Sequence, residues 1–160
     1  MSLLDTTSKD KLGKDCFQVI RVPHEAVGRL WIHAAPYLMM GLVTAPELTV
    51  QQVSDGLVDQ SIQLWMVLEG EEDHQSIIAA FLTSVEWDQG EWVTSLYCLG
   101  GSRPREWVMK CHRAVHGFAK QMDSERVRLA GRAGWQRILP GYVITGEIGG
   151  HYIYERAVGV

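Results

Sequence analysis

The sequence predicts an α/β fold in which a central mixed, mostly antiparallel sheet of about seven strands is flanked by helices. Two observations support this prediction. Residues 62–99 contain three apolar runs separated by short polar turns, a pattern typical of an antiparallel meander. The third run leads through Gly100 and Gly101 into a long amphipathic segment and then another short apolar run. That order indicates two parallel strands joined by a right-handed crossover helix.

Composition limits the kind of protein. The chain has 160 residues, 46% hydrophobic residues and a net charge of -4, which predicts one globular domain at 16–160 behind a flexible polar arm at 1–15. The negative charge argues against nucleic acid or an acidic membrane as the main partner. No apolar run reaches the ~18 residues of a membrane span, and the first residues lack a signal-peptide core. Three widely spaced cysteines without a CxxC motif indicate reduced thiols. These features predict a cytoplasmic protein.

The first part of the chain predicts one strand and two helices. Phe17 to Val22 form the strand, and a helix begins at Pro23. Pro36 is expected to kink or end that helix, because proline lacks an N–H and crowds the carbonyl four residues earlier. Thr49 and Gln52 have the spacing of a capping box that opens the second helix. Its expected apolar positions are Val50, Val53, Leu57 and Val58.

The second part predicts six strands and two helices. Strands are expected at 62–68, 77–85, 91–99 and 127–131, followed by a hairpin at 142–158 around Gly149 and Gly150. Gly100 and Gly101 are expected to break the fourth strand of the chain. Ser102 or Arg103 then caps a long helix with Pro104 at its first position, and a short helix is expected at 134–139. A glycine turn before a helix aims backbone N–H groups at one point and can hold an anion; the alternative is an ordinary strand-to-helix connection.

This order of elements resembles the acyl-CoA N-acyltransferases of the GNAT superfamily over residues 16–158. The resemblance implies acetyl-CoA as cofactor, with its pyrophosphate held on the backbone amides of the glycine turn and on nearby arginines. The positions concerned are Leu99, Gly100, Gly101, Ser102, Arg103 and Arg105. The sequence departs from the family in three places. No Gln or Arg precedes Gly100 at the usual spacing, and Pro104 and Arg105 stand where the family's loop has glycine or a small residue. Arg137 stands where the short helix often carries a catalytic tyrosine.

A narrower likeness is to small GNAT-like proteins of tailed phages and prophages. It rests on four short phrases, at 22–25, at Trp31 with Ala35-Pro36, at 99–101 with Glu106-Trp107, and at 131–135. The likeness leaves two functions open. One is an N-acyltransferase acting on a small-molecule or protein amine. The other is a non-catalytic virion or interaction protein, in the host cytoplasm or the particle, whose partners would be virion proteins or further copies of the chain.

Acyl transfer to an amine needs a general base and a proton donor. Glu86, at the end of one strand, and Glu91, at the start of the next, are the carboxylates nearest the cleft that this fold implies. Tyr97 is the best remaining proton donor. The alternatives are solvated hairpin ends for the two glutamates and a core aromatic residue for the tyrosine.

Other candidates have weaker patterns. His112 and His116 have zinc-binding spacing on a helix, but no third ligand stands at a readable distance, so exposed histidines and no metal site are predicted. Trp87 and Trp92 flank a hairpin tip and are either anchors for a protein partner or a cross-strand pair. Four arginines form a basic edge near the cofactor groove or a solvated surface; they are Arg126, Arg128, Arg132 and Arg137.

Overall fold

The computed structural model describes residues 16–42, 48–131 and 133–159. The arm predicted at 1–15 lies outside these residues. The strands are β1 Phe17–Arg21, β2 Ile62–Glu69, β3 Ser76–Asp88, β4 Glu91–Gly101, β5 Arg126–Gly131, β6 Val143–Ile148 and β7 His151–Ala157. The α-helices are α1 His24–Leu42, α2 Val50–Asp59 and α3 Pro104–Gln121, and short 3-10 helices occupy Glu72–His74 and Ala133–Arg137. Within the described residues, no helix combines the length and apolar character that a membrane span requires.

The strands form one sheet in the order β1–β2–β3–β4–β5–β7–β6. β4 and β5 pair in parallel, whereas the other neighbouring strands pair antiparallel. The predicted meander, crossover and mixed sheet are therefore confirmed. The β3–β4 hairpin turns at Gln89 and Gly90 (φ 50° and 84°), and the β6–β7 hairpin at Gly149 and Gly150 (φ 55° and 83°). Two successive positive φ angles match the twist of the flanking strands.

The helices differ from the prediction in two respects. α1 continues through Pro36 to Leu42, so the alternative that the helix ends at this proline is wrong, and the kink stays a prediction. Packing explains the continuation, because Ala34 and Leu38 are buried on either side of Pro36 and Tyr37 Oη donates a 2.9 Å hydrogen bond to the Ile77 carbonyl.

The capping box of α2 is confirmed. Gln52 N donates to Thr49 Oγ1 at 3.1 Å and Thr49 N donates to Gln52 Oε1 at 2.8 Å. Val50 and Val58, however, are exposed rather than part of the apolar face, which Val53 and Leu57 supply.

Apolar residues pack on both faces of the sheet. On one face α3 places Trp107 and Phe118 against Trp65 and Phe81 of the central strands. On the other face α1 and α2 pack against a second cluster that includes Leu82 of β3. Each central strand is therefore buried on both sides over part of its length, and α1 and α3 flank the carboxyl-terminal half of β4.

Candidate active site

The sheet opens between β4 and β5. Backbone pairing of these parallel strands ends at Leu96 and Leu129. Beyond that point β4 stays with β3, where Gly100 lies opposite Ala80, while β5 stays with β7. The two strands diverge and leave a cleft of about 280 Å³ between their carboxyl-terminal ends.

A β-bulge lies where the cleft begins. Tyr97 is opposite Leu82 and Gly100 is opposite Ala80, so Cys98 and Leu99 together face the single β3 residue between those two. Cys98 has a φ of 57°, the left-handed conformation that bulges often contain. A bulge bends its strand and re-aims the neighbouring side chains. In β4 it marks the point at which the strand leaves β5.

Helix α1 closes one side of the cleft through backbone-to-backbone contact. A Cβ atom added to Gly41 would lie 2.3 Å from the Cys98 carbonyl carbon, and one added to Gly100 would lie 2.1 Å from the Tyr37 carbonyl oxygen. Only glycine fits at either position. The helix therefore rests directly on the bulged part of β4.

Mostly apolar side chains form the opposite side of the cleft. Pro104 and Trp107 come from α3, and Trp135 comes from the second 3-10 helix. The Trp135 indole lies on Gly131 at the end of β5, where an added Cβ would be 2.5 Å from indole Cδ1. The cleft thus combines apolar walls with the backbone edges of two strands.

The strand-to-helix turn lies one step later than predicted. Gly100 and Gly101 do not break the strand, because both remain paired with β3, opposite the small side chains of Ala80 and Ala79. Arg103 is the residue that caps α3, with φ 54°, and Pro104 occupies the first helical turn as predicted. The Arg103 side chain makes no capping hydrogen bond to the backbone N–H groups of the first helical turn.

Two of the predicted phosphate contacts are already engaged within the protein. Ser102 N donates to the Ile78 carbonyl at 3.3 Å. The Arg103 guanidinium pairs with Glu69 and, at 3.4 Å, with Glu106. Arg105 is exposed and makes no ion pair with a described residue. It is therefore the predicted cation that stays open to an anionic ligand in the first turn of α3, next to Pro104 of the cleft wall.

A cluster of four polar side chains lies next to the cleft on β3 and β4. Tyr97 Oη donates a 2.8 Å hydrogen bond to Glu86 Oε2, and Ser95 Oγ donates a 3.1 Å bond to Glu86 Oε1. Ser84 Oγ lies 3.2 Å from Glu86 Oε2 and 3.3 Å from Tyr97 Oη. Tyr97 also lines the cleft. The structure therefore brings together the predicted base Glu86 and the predicted proton donor Tyr97.

The surroundings of Tyr97 keep its hydroxyl protonated. Burial, the largest cause, and the adjacent Glu86 carboxylate raise the pKa of Tyr97 to about 12, against an opposing contribution from Ser84. Burial disfavours the charged phenolate, and a neighbouring negative charge does the same. At neutral pH the Tyr97 side chain is thus a protonated phenol, and it donates its hydrogen bond to Glu86.

Comparisons with known proteins identify the fold that contains this cleft. No family model and no curated protein matches the sequence. Solved structures match over most of the chain, among them an N-acyl amino acid synthase (FeeM) from uncultured soil microbes, with a TM-score of 0.63, 10% identity and 89% of each chain covered. An IAA acetyltransferase from Bacillus cereus has a TM-score of 0.58 at 12% identity, over 88% of this chain and 99% of that one. An acyl-CoA N-acyltransferase from Pseudomonas aeruginosa has a TM-score of 0.57 at 15% identity, with the same coverage.

The chain has the GNAT fold. At these identities the likeness establishes the fold alone, and the chemistry depends on the residues that this chain places in it.

Glu91, the second predicted carboxylate, lies elsewhere. It begins β4 at the end opposite the cleft, and its Oε2 atom is 2.8 Å from Arg126 Nη2. Of the two glutamates, Glu86 is therefore the one beside the cleft. The sequence did not separate them, because both flank the same hairpin.

The predicted basic edge does not form from Arg126 and Arg128. Arg128 contacts Asp88 and Glu155, each at 2.6 Å, and Arg126 is paired with Glu91. Both arginines lie in the part of β5 that still pairs with β4, and their ion pairs are with carboxylates of β3, β4 and β7. Arg137 is exposed, and Arg132 lies outside the described residues.

Ser84 and Ser95 were not singled out from the sequence. Each lies two residues from a predicted site residue, Ser84 from Glu86 and Ser95 from Tyr97, and residues two apart share a face of a strand. The two serines are also direct cross-strand partners. The two-residue spacing was the available signal, but it points to a shared cluster only once the β3–β4 register is known.

His112 and His116 contact a tyrosine. His112 Nδ1 and His116 Nε2 lie 3.2 Å and 2.9 Å from Tyr142 Oη. Both rings are partly buried, so the expectation of exposed histidines is wrong. Burial is the main cause that lowers both histidine pKa values, that of His116 to about 4, and the Arg156 charge adds to it. The described residues contain no group of three or more metal-ligating side chains.

Trp87 and Trp92 have features both of a cross-strand pair and of exposed anchors for a protein partner. They are direct cross-strand partners, and their rings meet edge to face with centroids 5.1 Å apart. They nevertheless remain 61% and 43% exposed. The cross-strand pair is confirmed, and a role in binding a protein partner stays a prediction.

Proposed function

We propose that this protein is an acyl-CoA-dependent N-acyltransferase that transfers an acyl group to an amine. The observation that carries the proposal is the placement of the Glu86–Tyr97 pair beside the cleft between β4 and β5. The shared fold with N-acyltransferases supports it.

The cleft suits the arm of an acyl-CoA. From Tyr97 to Gly101 the edge of β4 no longer pairs with β5, so its backbone groups face the cleft, where an extended chain containing amides can bind. Trp107 and Leu129 provide apolar walls. Arg105, with the amino-terminal end of α3, is the group that would contact the phosphates. When bound, acyl-CoA supplies the acyl group as a thioester.

Glu86 and Tyr97 divide the proton transfers between them. Glu86 accepts the proton that the amine nitrogen loses as its bond to the acyl carbon forms, and Tyr97 Oη donates a proton to the leaving thiolate. The 2.8 Å hydrogen bond between the two side chains then returns the proton from Glu86 to Tyr97. Ser84 and Ser95 hold the carboxylate in place. The pair is restored after each transfer.

Coenzyme binding is the first test. Acetyl-CoA at 100 times its dissociation constant stabilises a protein by about 2.7 kcal/mol, which raises the melting temperature of a domain of this size by roughly 5–10 °C. Titration calorimetry measures the same binding directly. Substituting Arg105→Ala should weaken it. Absence of both heat and a thermal shift at millimolar acetyl-CoA would reject the proposal and favour a non-catalytic virion or interaction protein.

Catalysis is tested with matched variants. Glu86→Gln and Tyr97→Phe should each lower the rate of acyl transfer by about 10²–10⁴-fold, the usual effect of losing a general base or acid. Both should leave acetyl-CoA binding close to that of the unsubstituted protein. Glu91→Gln makes the same chemical change at the far end of β4 and serves as control. An equal loss in Glu86→Gln and Glu91→Gln would contradict the assignment of Glu86 as the base.

A further inference from the structure

A second, smaller cavity adjoins the cleft. It measures about 180 Å³ and shares Leu96, Tyr97, Leu129 and Ala130 with the cleft. We call it the side pocket. Liquid water occupies about 30 Å³ per molecule, so the side pocket has room for a compact ligand of a few heavy atoms. Because Tyr97 lines both cavities, a ligand in the side pocket lies directly beside the cleft.

The side pocket has one acidic wall and one apolar wall. Glu86, Ser95 and Tyr97 form the polar side, whereas Ile148 and Ile153 of the β6–β7 hairpin form the apolar side. The hydrogen bonds to Glu86 come from neutral hydroxyl groups, and among the described residues no ion pair neutralises its charge. A carboxylate in that state attracts a cation.

The one cation among the described residues that line the side pocket is already neutralised. Arg128 contacts Asp88 and Glu155, each at 2.6 Å. Glu155 also lies 3.6 Å from Arg126, so the carboxylates and guanidinium groups next to the side pocket are engaged with one another. Glu86 is the carboxylate among the described lining residues that has no ion pair. A ligand carboxylate placed here would meet like charges and find no open positive group.

We propose that the acyl acceptor is a compact primary amine with an apolar skeleton and no carboxylate group. Its ammonium group binds at Glu86 and loses one proton to solvent before the neutral nitrogen attacks the acyl carbon. Its carbon skeleton packs on Ile148 and Ile153. This inference rests on the proposed function, because it names the amine that the same site acylates. It excludes free amino acids as acceptors, since their carboxylate would lie beside Glu86 and find Arg128 already paired.

Three amines with the same branched skeleton test the inference with acetyl-CoA as donor. Isoamylamine lacks any substituent beside the amine, leucinamide carries a neutral amide there, and leucine carries a carboxylate. Transfer is measured by mass spectrometry of the acetylated amine. We expect kcat/KM for isoamylamine and leucinamide to exceed that for leucine by at least about tenfold, because juxtaposed like charges are strongly unfavourable. Leucinamide matches leucine in size, so it separates charge from volume.

One variant adds a positive charge to the side pocket. Ile153→Lys places a cation on the apolar wall and should raise kcat/KM for leucine relative to isoamylamine. Ile32→Lys makes the same change on α1, where Ile32 is 73% exposed, and should leave the preference unaltered. Circular dichroism checks that both variants fold. The comparison of the three amines is made with the unsubstituted protein, so it does not depend on the folding of a variant.

The outcomes separate this inference from the proposed function. If leucine is acetylated as efficiently as isoamylamine, the inference is overturned while acyl transfer stands. The same holds if only amines too large for the side pocket are acetylated. If no transfer occurs, Glu86-dependent binding of isoamylamine over leucine, measured by titration calorimetry without coenzyme, still supports the amine preference of the side pocket. In that case the proposed function fails instead.

Discussion

Two glycines of helix α1 should respond in opposite ways to the same substitution. Gly28 and Gly41 both lie within α1. On helix propensity alone, replacing either glycine by alanine should stabilise the protein by about 0.4–1 kcal/mol. A Cβ atom at Gly28 meets nothing within 4 Å, so Gly28→Ala should show this gain.

Gly41 is different because it touches the backbone of β4. A Cβ atom there would lie 2.3 Å from the Cys98 carbonyl carbon and 2.5 Å from its Cα and carbonyl oxygen. Carbon atoms pack at about 3.5–4.0 Å, so α1 must move away from β4 by about 1 Å. No side-chain rotation can relieve the contact. Forced overpacking costs about 1–3 kcal/mol, and we expect Gly41→Ala to reach the upper part of that range.

Urea unfolding followed by circular dichroism measures both effects. The free energies of unfolding of the two variants should differ by about 3 kcal/mol, and their melting temperatures by roughly 10 °C. Gly41→Ala should also weaken acetyl-CoA binding, since Gly41 lines the cleft. Equal stabilisation by both substitutions would refute the direct contact between α1 and the bulge, and with it this wall of the cleft.

Three further predictions concern stability. Pro36→Ala should stabilise α1 by about 1–3 kcal/mol in urea unfolding, because it restores a helical N–H at an exposed position; a destabilised variant would contradict the uninterrupted helix. Thr83→Val should lower the free energy of unfolding by about 1–3 kcal/mol, because it leaves the buried Trp65 indole N–H without its 2.9 Å hydrogen-bond acceptor. An unchanged unfolding midpoint would argue against that hydrogen bond. His116 has a pKa lowered to about 4, so the folded state binds fewer protons than the unfolded state, and stability should fall as pH drops from about 6.5 toward 4. His116→Gln should flatten this dependence in melting temperatures, and an unchanged slope would assign the acid sensitivity to other groups.

Features that depend on a few neighbouring residues were predictable from the sequence. The capping box of Thr49 and Gln52 and the turn at Gly149 and Gly150 act through hydrogen bonds and φ angles within a single turn of chain. The crossover through α3 follows from an apolar run, a helical repeat and a second apolar run. Because such signals are local, they predicted the order and type of the strands and helices, and this order carried the resemblance to the GNAT superfamily.

The site itself was only partly predictable. Glu86 and Tyr97 were both candidates, but so was Glu91, and sequence position does not show which carboxylate reaches the tyrosine. The answer depends on the β3–β4 register. Beyond the bulge at Cys98 that register shifts by one residue, and a shift of one exchanges the two faces of a strand.

Sequence alone thus determined which elements form and in what order, since backbone preferences and hydrophobic periodicity act over a few residues. Tertiary structure decided that α1 continues past Pro36, that Arg103 turns to Glu69, and that Glu86 meets Tyr97 beside an open cleft. Each of these contacts is between residues far apart in the chain. The packing and charge pairing that stabilise the contacts exist only once the whole sheet has assembled.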